Sequence, residues 1–306
     1  MFMIDDKCLR RLADLNQFKL PSDKVVLFGL RGALPVNPDD LSFADRQPAE
    51  VEDLSYEFPR CLLGVWDRSS KQVLIAPGST VPFLDAVKKA QAKRGKGVNQ
   101  IIPSFIHYEK GSHPRRLERD PHPAFRQSKP FAIQRSADDF DYDEDDPIRV
   151  EFPGDNLHCA FCEGPESEYR SSHGCQVVCG FAKRANRPNT KDRGAWPTYR
   201  KAAYASGQSR FRYMLIPGRS AKAAALSDPG TISMRLRFGS RGNLVELVQD
   251  KLKKAKLYDS KIDGDFGKGT LQALVDFQLR ENLTTDAVVG PHVVEALGLK
   301  SKWLKG

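Results

Sequence analysis

The order of apolar and polar residues along the first two thirds of the chain predicts many short strands and few helices. Two largely apolar runs, 61–67 and 71–76, flank a polar triplet and predict a hairpin. Further strand candidates are 25–30, 101–109, 130–135, 148–152 and 211–216, and helix candidates are 5–15, 82–95 and 196–205. Many strands with few helices predict an α+β protein whose first domain, 1–222, is mainly β.

The C-terminal part of the chain has a helical pattern instead. Leu244, Val248 and Leu252 recur at helical spacing, with Leu247 beside them, and a second and a third helix follow further along the chain. The turn 263–267 is echoed by the turn 286–290, each being Asp, two residues, an apolar residue and Gly, and each leads into a helix. The pattern predicts a small three-helix domain at 236–300. The segment between the two domains, 223–235, is poor in large apolar residues and is expected to be a linker.

Composition narrows the class of partner. The 306 residues suit one large or two ordinary domains. The net charge of +9 suits an anionic partner, and no nucleic-acid-binding motif accompanies the charge, so we expect no nucleic acid. No run of 18 apolar residues exists, which predicts no membrane span.

Four of the six cysteines cluster with two histidines between positions 158 and 179, and this cluster has three interpretations. Cys159, Cys162, Cys175 and Cys179 could bind zinc as two close pairs of thiols. They could equally be a structural set, buried or joined as disulfides. The third interpretation is nucleophilic catalysis, in which a cysteine is activated by a nearby histidine.

The C-terminal pattern resembles the peptidoglycan-binding family of three-helix cell-wall modules. The resemblance rests on 239–242, on Asp263-Gly264 with Phe266-Gly267, on Phe277-Gln278 and on 286–291. It implies docking on peptidoglycan glycan or stem peptide, with Asp263, Phe266 and Asp286 as candidate wall-binding residues.

His158 followed by Ser172-His173-Gly174-Cys175 resembles the L,D-transpeptidase motif, and the hairpin at 61–76 with 78–82 resembles the opening strands of that family. The resemblance implies a sandwich-like catalytic domain that needs no cofactor and no metal. Cys175 would be the nucleophile and His158 the base, oriented by the carbonyl of Cys159. Ser172, His173 and Gly174 would hold the site, and backbone N–H groups near Gly174 and Cys175 would form the oxyanion hole. Arg170 and Gln176 are the candidate substrate contacts.

Together the two resemblances imply a peptidoglycan-modifying enzyme that acts on stem peptides through a cysteine thioester, as an L,D-transpeptidase, an L,D-carboxypeptidase or a D-amino-acid exchange enzyme. The first residues show no secretory signal pattern. We therefore expect a protein made in the cytoplasm and delivered to the periplasm or cell wall by a secretion system or by lysis, as an antibacterial effector or lysin. A secretion apparatus and an immunity protein are further candidate partners. The alternative is a non-catalytic peptidoglycan-binding protein with a Cys/His zinc site.

Overall fold

A computed structural model describes residues 1–92, 97–114, 120–136, 139–169 and 171–299, and shows an α+β protein made mostly of strands with a helical C-terminal region. The strands are β1 (Phe2–Asp5), β2 (Val25–Arg31), β3 (Ala33–Pro35), β4 (Arg46–Val51), β5 (Cys61–Asp67), β6 (Gln72–Ser79), β7 (Asn99–Ile101), β8 (Ser104–His113), β9 (His122–Gln127), β10 (Phe131–Arg135), β11 (Ile148–Glu151), β12 (Leu157–Cys159), β13 (Gln176–Val178) and β14 (Arg210–Pro217). The helices are α1 (Asp6–Leu15), α2 (Leu84–Ala92), α3 (Ala195–Tyr204), α4 (Gly218–Leu226), α5 (Asn243–Lys254), α6 (Lys268–Arg280) and α7 (Pro291–Ala296). None of the helices in these ranges has the length and apolar character needed to cross a membrane.

Eight strands close into a barrel in the order β12-β13-β6-β5-β2-β14-β8-β9. The ring closes because the short strand β12 pairs in parallel with β13 on one side and antiparallel with β9 on the other. The sandwich-like arrangement expected from the resemblance is therefore wrong for this chain: the strands form one closed sheet rather than two facing sheets. The predicted hairpin at 61–76 is present as the antiparallel pair β5 and β6.

The central strands of the barrel are buried on both faces, which explains their continuous apolar runs. In β2, Val25 and Leu27 belong to the core that also contains Trp196 and Tyr213. The alternate residues Val26, Phe28 and Leu30 belong to a second core together with residues of α1 and α4. Successive side chains of a strand point to opposite faces, so this strand supports two hydrophobic layers at once.

Two three-stranded sheets flank the barrel. One has the order β1-β4-β3 and the other the order β11-β10-β7. The segment that we expected to be a linker, 223–235, begins inside α4, and Ala221 and Ala224 of this helix are buried.

The three C-terminal helices have their own core, and this core extends into the first domain. Val245, Val248 and Leu252 of α5 are fully buried there, whereas Leu244 and Leu247 pack at its edge. Ile102, Ala132 and Ile148 of the first domain belong to the same cluster. The hydroxyl of Ser240 also donates to the carbonyl oxygen of Asn16 at 2.6 Å, so the helical domain is packed against the rest of the chain.

Candidate active site

Two short parallel strands bring the predicted nucleophile and base together. His158 is the central residue of β12 and pairs with Val177 of β13, and Cys175 immediately precedes β13. A sulfur or ring-nitrogen atom from each of His113, His158 and Cys175 lies within 4.8 Å of the other two. The pairing of the strands thus places an imidazole beside the thiol although 16 residues separate them in the sequence.

The orientation of the His158 ring is set by its own strand. Nδ1 lies 2.9 Å from the carbonyl oxygen of Cys159, which is the contact that the family resemblance implies. A carbonyl oxygen only accepts hydrogen bonds, so Nδ1 carries the proton and Nε2 keeps its lone pair. Nε2 is buried and has no hydrogen-bond partner among the described residues. The ring therefore presents a free basic nitrogen inside the site.

Cys175 is held from several directions and is only 6% exposed. The backbone N–H of Asn156 donates to its sulfur at 3.4 Å. The hydroxyl of Ser172 donates to the carbonyl oxygen of Cys175 at 2.7 Å and accepts from the N–H of Gly174 at 3.3 Å. Ser172 thus closes a tight turn around the candidate nucleophile, and the N–H of Gly174 is engaged inside that turn.

Gly174 is required by both conformation and space. Its φ of +118° lies in a region that favours glycine. A Cβ at this position would lie 2.7 Å from the carbonyl oxygen of Asn99 and 2.8 Å from Oδ1 of Asp155. Asn99 donates from Nδ2 to the Asp155 carboxyl group, so these two buried residues form the wall against which the turn packs.

Two further histidines surround His158 and were not predicted from the sequence. His113 and His122 are directly opposite each other in the β8–β9 pair. The ring of His113 stacks on that of His158 at 4.3 Å and 8°, and the ring of His122 meets His158 edge-on at 5.3 Å. Each is followed by proline in the sequence, but nothing in that local pattern connects them with position 158.

Burial dominates the proton affinities of the site. It lowers the pKa of His158 well below its usual range, with His113 and His122 acting in the same direction. It raises the pKa of the Cys175 thiol, and the neighbouring Asp155 adds to the rise. It also raises the pKa of Asp155 to about 8. At neutral pH burial therefore favours the uncharged form of the thiol, of the imidazole and of the carboxyl group.

A cavity of about 510 Å³ opens beside His158. Its polar lining comes from the three histidines together with Glu168, Ser171 and Arg184. The guanidinium group of Arg184 lies 4.2 Å from the centre of the Phe161 ring, and its Nη1 lies 3.5 Å from Oδ2 of Asp120. The cavity thus offers both a cation and an acidic group next to the candidate base.

The other predicted site residues lie elsewhere or have structural contacts. Gln176 is fully buried, donating to the carbonyl oxygen of Thr80 and accepting from the Tyr213 hydroxyl at 3.0 Å, so its amide is used inside the barrel rather than for substrate. The ring of His173 is exposed and packs edge-on against Phe83 at 5.2 Å. Arg170 lies outside the described residues.

The four cysteines proposed as zinc ligands do not converge on one point. The sulfur atoms of Cys162 and Cys179 are 3.7 Å apart. The Cys175 sulfur faces His113 and His158, whereas Cys159 belongs to a separate group with His122 and His158. The strand geometry explains the separation, because Cys159 packs in the barrel core and the other three pack in a different apolar cluster.

The predicted wall-binding residues are part of two repeated turns that buried glutamines hold in place. The side-chain amide of Gln249 donates to Oδ1 of Asp263 at 2.8 Å and accepts from the N–H groups of Asp263 and Gly264. Gln278 repeats this pattern on the second turn, donating to Oδ1 of Asp286 at 2.8 Å and accepting from the N–H of Ala287. The aspartates therefore shape the turns.

Phe266 is fully buried, so it belongs to the core of the helical domain rather than to a ligand-binding surface.

Comparison with known proteins identifies the C-terminal region. Residues 241–297 match the family model described as "Putative peptidoglycan binding domain". The match does not extend to the region that contains His158 and Cys175. Searches of curated proteins and of solved structures gave no match for this chain. The C-terminal match supports a peptidoglycan-binding domain, peptidoglycan as a partner and association of the protein with the cell wall.

Proposed function

We propose that this protein is a cysteine-dependent peptidoglycan enzyme that acts on stem peptides, with Cys175 as nucleophile and His158 as base. The observation that carries the proposal is that ring-nitrogen atoms of His113 and His158 and the sulfur of Cys175 lie within 4.8 Å of one another beside a cavity. The Nε2 atom of His158 is also buried without a hydrogen-bond partner among the described residues. The peptidoglycan-binding domain packed against the same chain supports the choice of substrate.

The protonation states of Cys175 and His158 favour general-base activation of the thiol over a pre-formed thiolate–imidazolium ion pair. Burial favours the uncharged form of both Cys175 and His158. The proton therefore moves from sulfur to Nε2 as the sulfur attacks, so charge develops only in the transition state. The hydrogen bond from Nδ1 to the Cys159 carbonyl oxygen stabilises the imidazolium that forms.

The reaction implied by the family resemblance then has two steps. In the first, sulfur bonds to the carbonyl carbon of the third stem-peptide residue, the C–N bond to the terminal D-alanine breaks, and the imidazolium returns its proton to the leaving amine. In the second, an amine or water attacks the thioester and releases the thiol. An amine acceptor gives a cross-link or an exchanged D-amino acid, and water gives carboxypeptidase activity.

The binding domain contributes to this function by raising the local concentration of stem peptides. A module that holds the polymer makes the encounter of stem peptide and cavity effectively intramolecular. The substrate of such an enzyme lies in the cell wall, so we place its action there. Exported to the periplasm of a bacterial host, the wild-type protein should slow growth or cause lysis, whereas the Cys175→Ala variant should not.

A second candidate, from a different class, is a wall-binding protein with a metal site, since His113, His158 and Cys175 offer three ligand atoms within 4.8 Å of one another. The parallel stacking of the His113 and His158 rings, at 8°, weakens this candidate. Lone pairs on two parallel rings lie in parallel planes and do not converge on one ion without rotation of a ring. Metal analysis of the purified protein, with a Cys175→Ala comparison, separates the two candidates.

The direct test of the proposed activity is release of D-alanine from a purified stem tetrapeptide. The wild-type protein should release it, and Cys175→Ala should reduce the rate by several orders of magnitude, because the covalent step is lost. Cys61→Ala is the matched control: Cys61 is also fully buried, but its sulfur contacts Thr80 outside the site. Equal rates for wild type and Cys175→Ala would overturn the proposal.

A further inference from the structure

Beyond the proposed enzymatic function, we propose that Cys162 and Cys179 form an intramolecular disulfide when the protein is in an oxidising compartment. The observation behind this proposal is that their sulfur atoms are 3.7 Å apart, although 16 residues separate them in the sequence. No catalytic role is assumed for either residue.

The backbone holds both cysteines in place for this bond. Cys162 pairs with Gly180 in an antiparallel bridge, in which the Gly180 N–H donates to the Cys162 carbonyl oxygen at 2.8 Å. The N–H of Cys179 donates to Pro77 of β6 at 2.9 Å, and the N–H of Trp196 in α3 donates to the Cys179 carbonyl oxygen at 2.8 Å. Bond formation therefore needs a small movement of side chains rather than a rearrangement of strands.

The neighbouring thiols are directed elsewhere, which makes this pairing selective. Cys175 shares the apolar cluster with the pair, but its sulfur accepts from the Asn156 N–H and faces the histidines. Cys159 packs in the barrel core, and Cys61 contacts Thr80. The positions of the sulfur atoms thus divide the cluster. Cys175 faces the candidate base, whereas Cys162 and Cys179 are placed to form a covalent link with each other.

The chemistry is a two-step thiol–disulfide exchange with a small disulfide such as oxidised glutathione. The hydrogen bond with Cys179 lowers the pKa of Cys162, which favours Cys162 as the attacking thiolate. Its sulfur bonds to one glutathione sulfur and releases the other glutathione as a thiol. The Cys179 sulfur then attacks Cys162 and releases the second glutathione. Two electrons pass to the oxidant, and the two thiol protons end on the two released glutathione molecules.

The consequence of the link is a closed loop that contains the candidate nucleophile. Residues 163–178 include Ser172, Gly174 and Cys175, so the disulfide ties together both ends of the segment that forms the turn. Closing a loop of about 15 residues restricts the unfolded chain and stabilises the folded state. Both cysteines are buried, at 4% and 0% exposure, so the bond should form most readily while the chain folds.

The test is oxidative refolding of the full chain. The protein is unfolded under reducing conditions, refolded with either reduced and oxidised glutathione or dithiothreitol, alkylated and digested with trypsin. Cleavage after Arg170 separates the peptide that contains Cys162 from the one that contains Cys179, and fragmentation assigns the linked residues. We expect a Cys162–Cys179 link, with the other four cysteines alkylated, and a Tm about 5–10 °C higher than that of the reduced protein.

Variants make the assignment specific. Cys162→Ala and Cys179→Ala should each lose the link and the rise in Tm, while Cys61→Ala should keep both. Alkylation of all six thiols after oxidative refolding, or a link that joins Cys175 to another cysteine, would overturn the proposal. If a variant does not fold, the cross-link map of the wild type decides alone. Activity is not part of the readout, so failure of this proposal is distinguishable from failure of the proposed function.

Discussion

Cys175 and His158 face each other as uncharged groups, because burial disfavours the thiolate and the imidazolium alike. This arrangement differs from a site in which a pre-formed thiolate–imidazolium ion pair keeps the cysteine ionised before substrate binds. The base must be unprotonated to act, and it becomes protonated only below its own pKa. The pH dependence of the rate therefore reports directly on the environment of His158.

The first prediction is that the acid limb of kcat/KM lies below the range of an ordinary histidine. An imidazole of pKa about 6.5 would keep only about a tenth of its basic form at pH 5.5. The lowered pKa of His158 should leave kcat/KM at pH 5.5 within about twofold of its value at pH 7. Rates measured from pH 5 to 8, with circular dichroism to confirm folding, check this. A limb centred at pH 6.5 or above would contradict it.

Asp155 gives a second prediction at this scale, on stability rather than rate. Its pKa of about 8 in the folded protein exceeds the value of about 3.9 expected when unfolded. At a pH between these two pKa values, Asp155 keeps its proton in the folded state but has lost it in the unfolded state. The free energy of unfolding therefore falls as the pH rises. The buried His113 and His122, with pKa values of about 4 and 3, act in the opposite direction, because the unfolded state takes up a proton on each of them as the pH falls through about 6.5.

Comparison of the wild type with Asp155→Asn between about pH 6.5 and 8 isolates the carboxyl group, because the histidines and cysteines contribute equally to both proteins. Across this window, the free energy of unfolding of the wild type should fall relative to that of Asp155→Asn by about 1 kcal/mol per pH unit. The exposed Asp259→Asn should show no such difference from the wild type. Urea titrations at several pH values measure the slopes, and parallel slopes for wild type and Asp155→Asn would refute the assignment.

At the residue scale, sequence reasoning singled out a candidate nucleophile and base that the structure brings together, but not their surroundings. His158 and Cys175 stand in a recognisable local motif. His113 and Asp155 reach the site only through the pairing of strands that are distant in sequence, which no local pattern encodes. Gln176 was expected to contact substrate because it follows the motif directly, and this expectation was wrong. Side chains alternate along β13, and that of Gln176 points into the barrel.

At the scale of elements, the turn 172–175 is the segment that positions the candidate nucleophile. The third prediction is that Gly174→Ala removes activity and destabilises the protein by about 2–4 kcal/mol, since its φ is positive and the added Cβ would clash with Asn99 and Asp155. Gly164→Ala is the matched control in the same loop, because none of the described residues comes within 4 Å of a Cβ added there. Thermal unfolding and D-alanine release measure both effects, and similar behaviour of the two variants would contradict this account.

The two glutamine-held turns give a fourth prediction, for the C-terminal domain. Gln249→Ala should lower stability by about 2 kcal/mol, because it leaves the buried N–H groups of the first turn without their acceptor. It should also weaken binding to purified sacculi if the turn supports the binding surface. Gln272→Ala, at an exposed position whose amide donates to Asp276, is the control. Unfolding and co-sedimentation assays test both, and a fully stable Gln249→Ala protein would refute the role of this side chain.

Long elements were predictable and short ones were not. The hairpin at 61–76 and the three C-terminal helices follow from strong periodic patterns. Strands β12 and β13 have three residues each, which is too short for an alternation of apolar and polar residues to be recognised. Because these two strands help to close the barrel and hold the site, closure could not be predicted, and a sandwich was expected instead.

At the scale of the whole molecule, the two domains share a hydrophobic core. Ile102, Ala132 and Ile148 of the first domain pack with the helices of the second, and the N–H of Arg241 donates to the carbonyl oxygen of Gln17 at 2.8 Å. No sequence pattern indicates this contact, since these apolar residues look like ordinary core positions of their own strands. Packing of this kind holds the candidate site and the peptidoglycan-binding domain in one body.

The measurement that tests the central claim most directly is mass spectrometry of muropeptides after incubation of intact sacculi with the full chain. The wild-type protein should shorten tetrapeptides to tripeptides, exchange their terminal residue or join stem peptides through the third residue. Cys175→Ala should bind the same sacculi and leave the muropeptide profile unchanged. An unchanged profile with the wild type, under conditions in which it binds, would contradict an enzymatic role and leave a protein that only binds the wall.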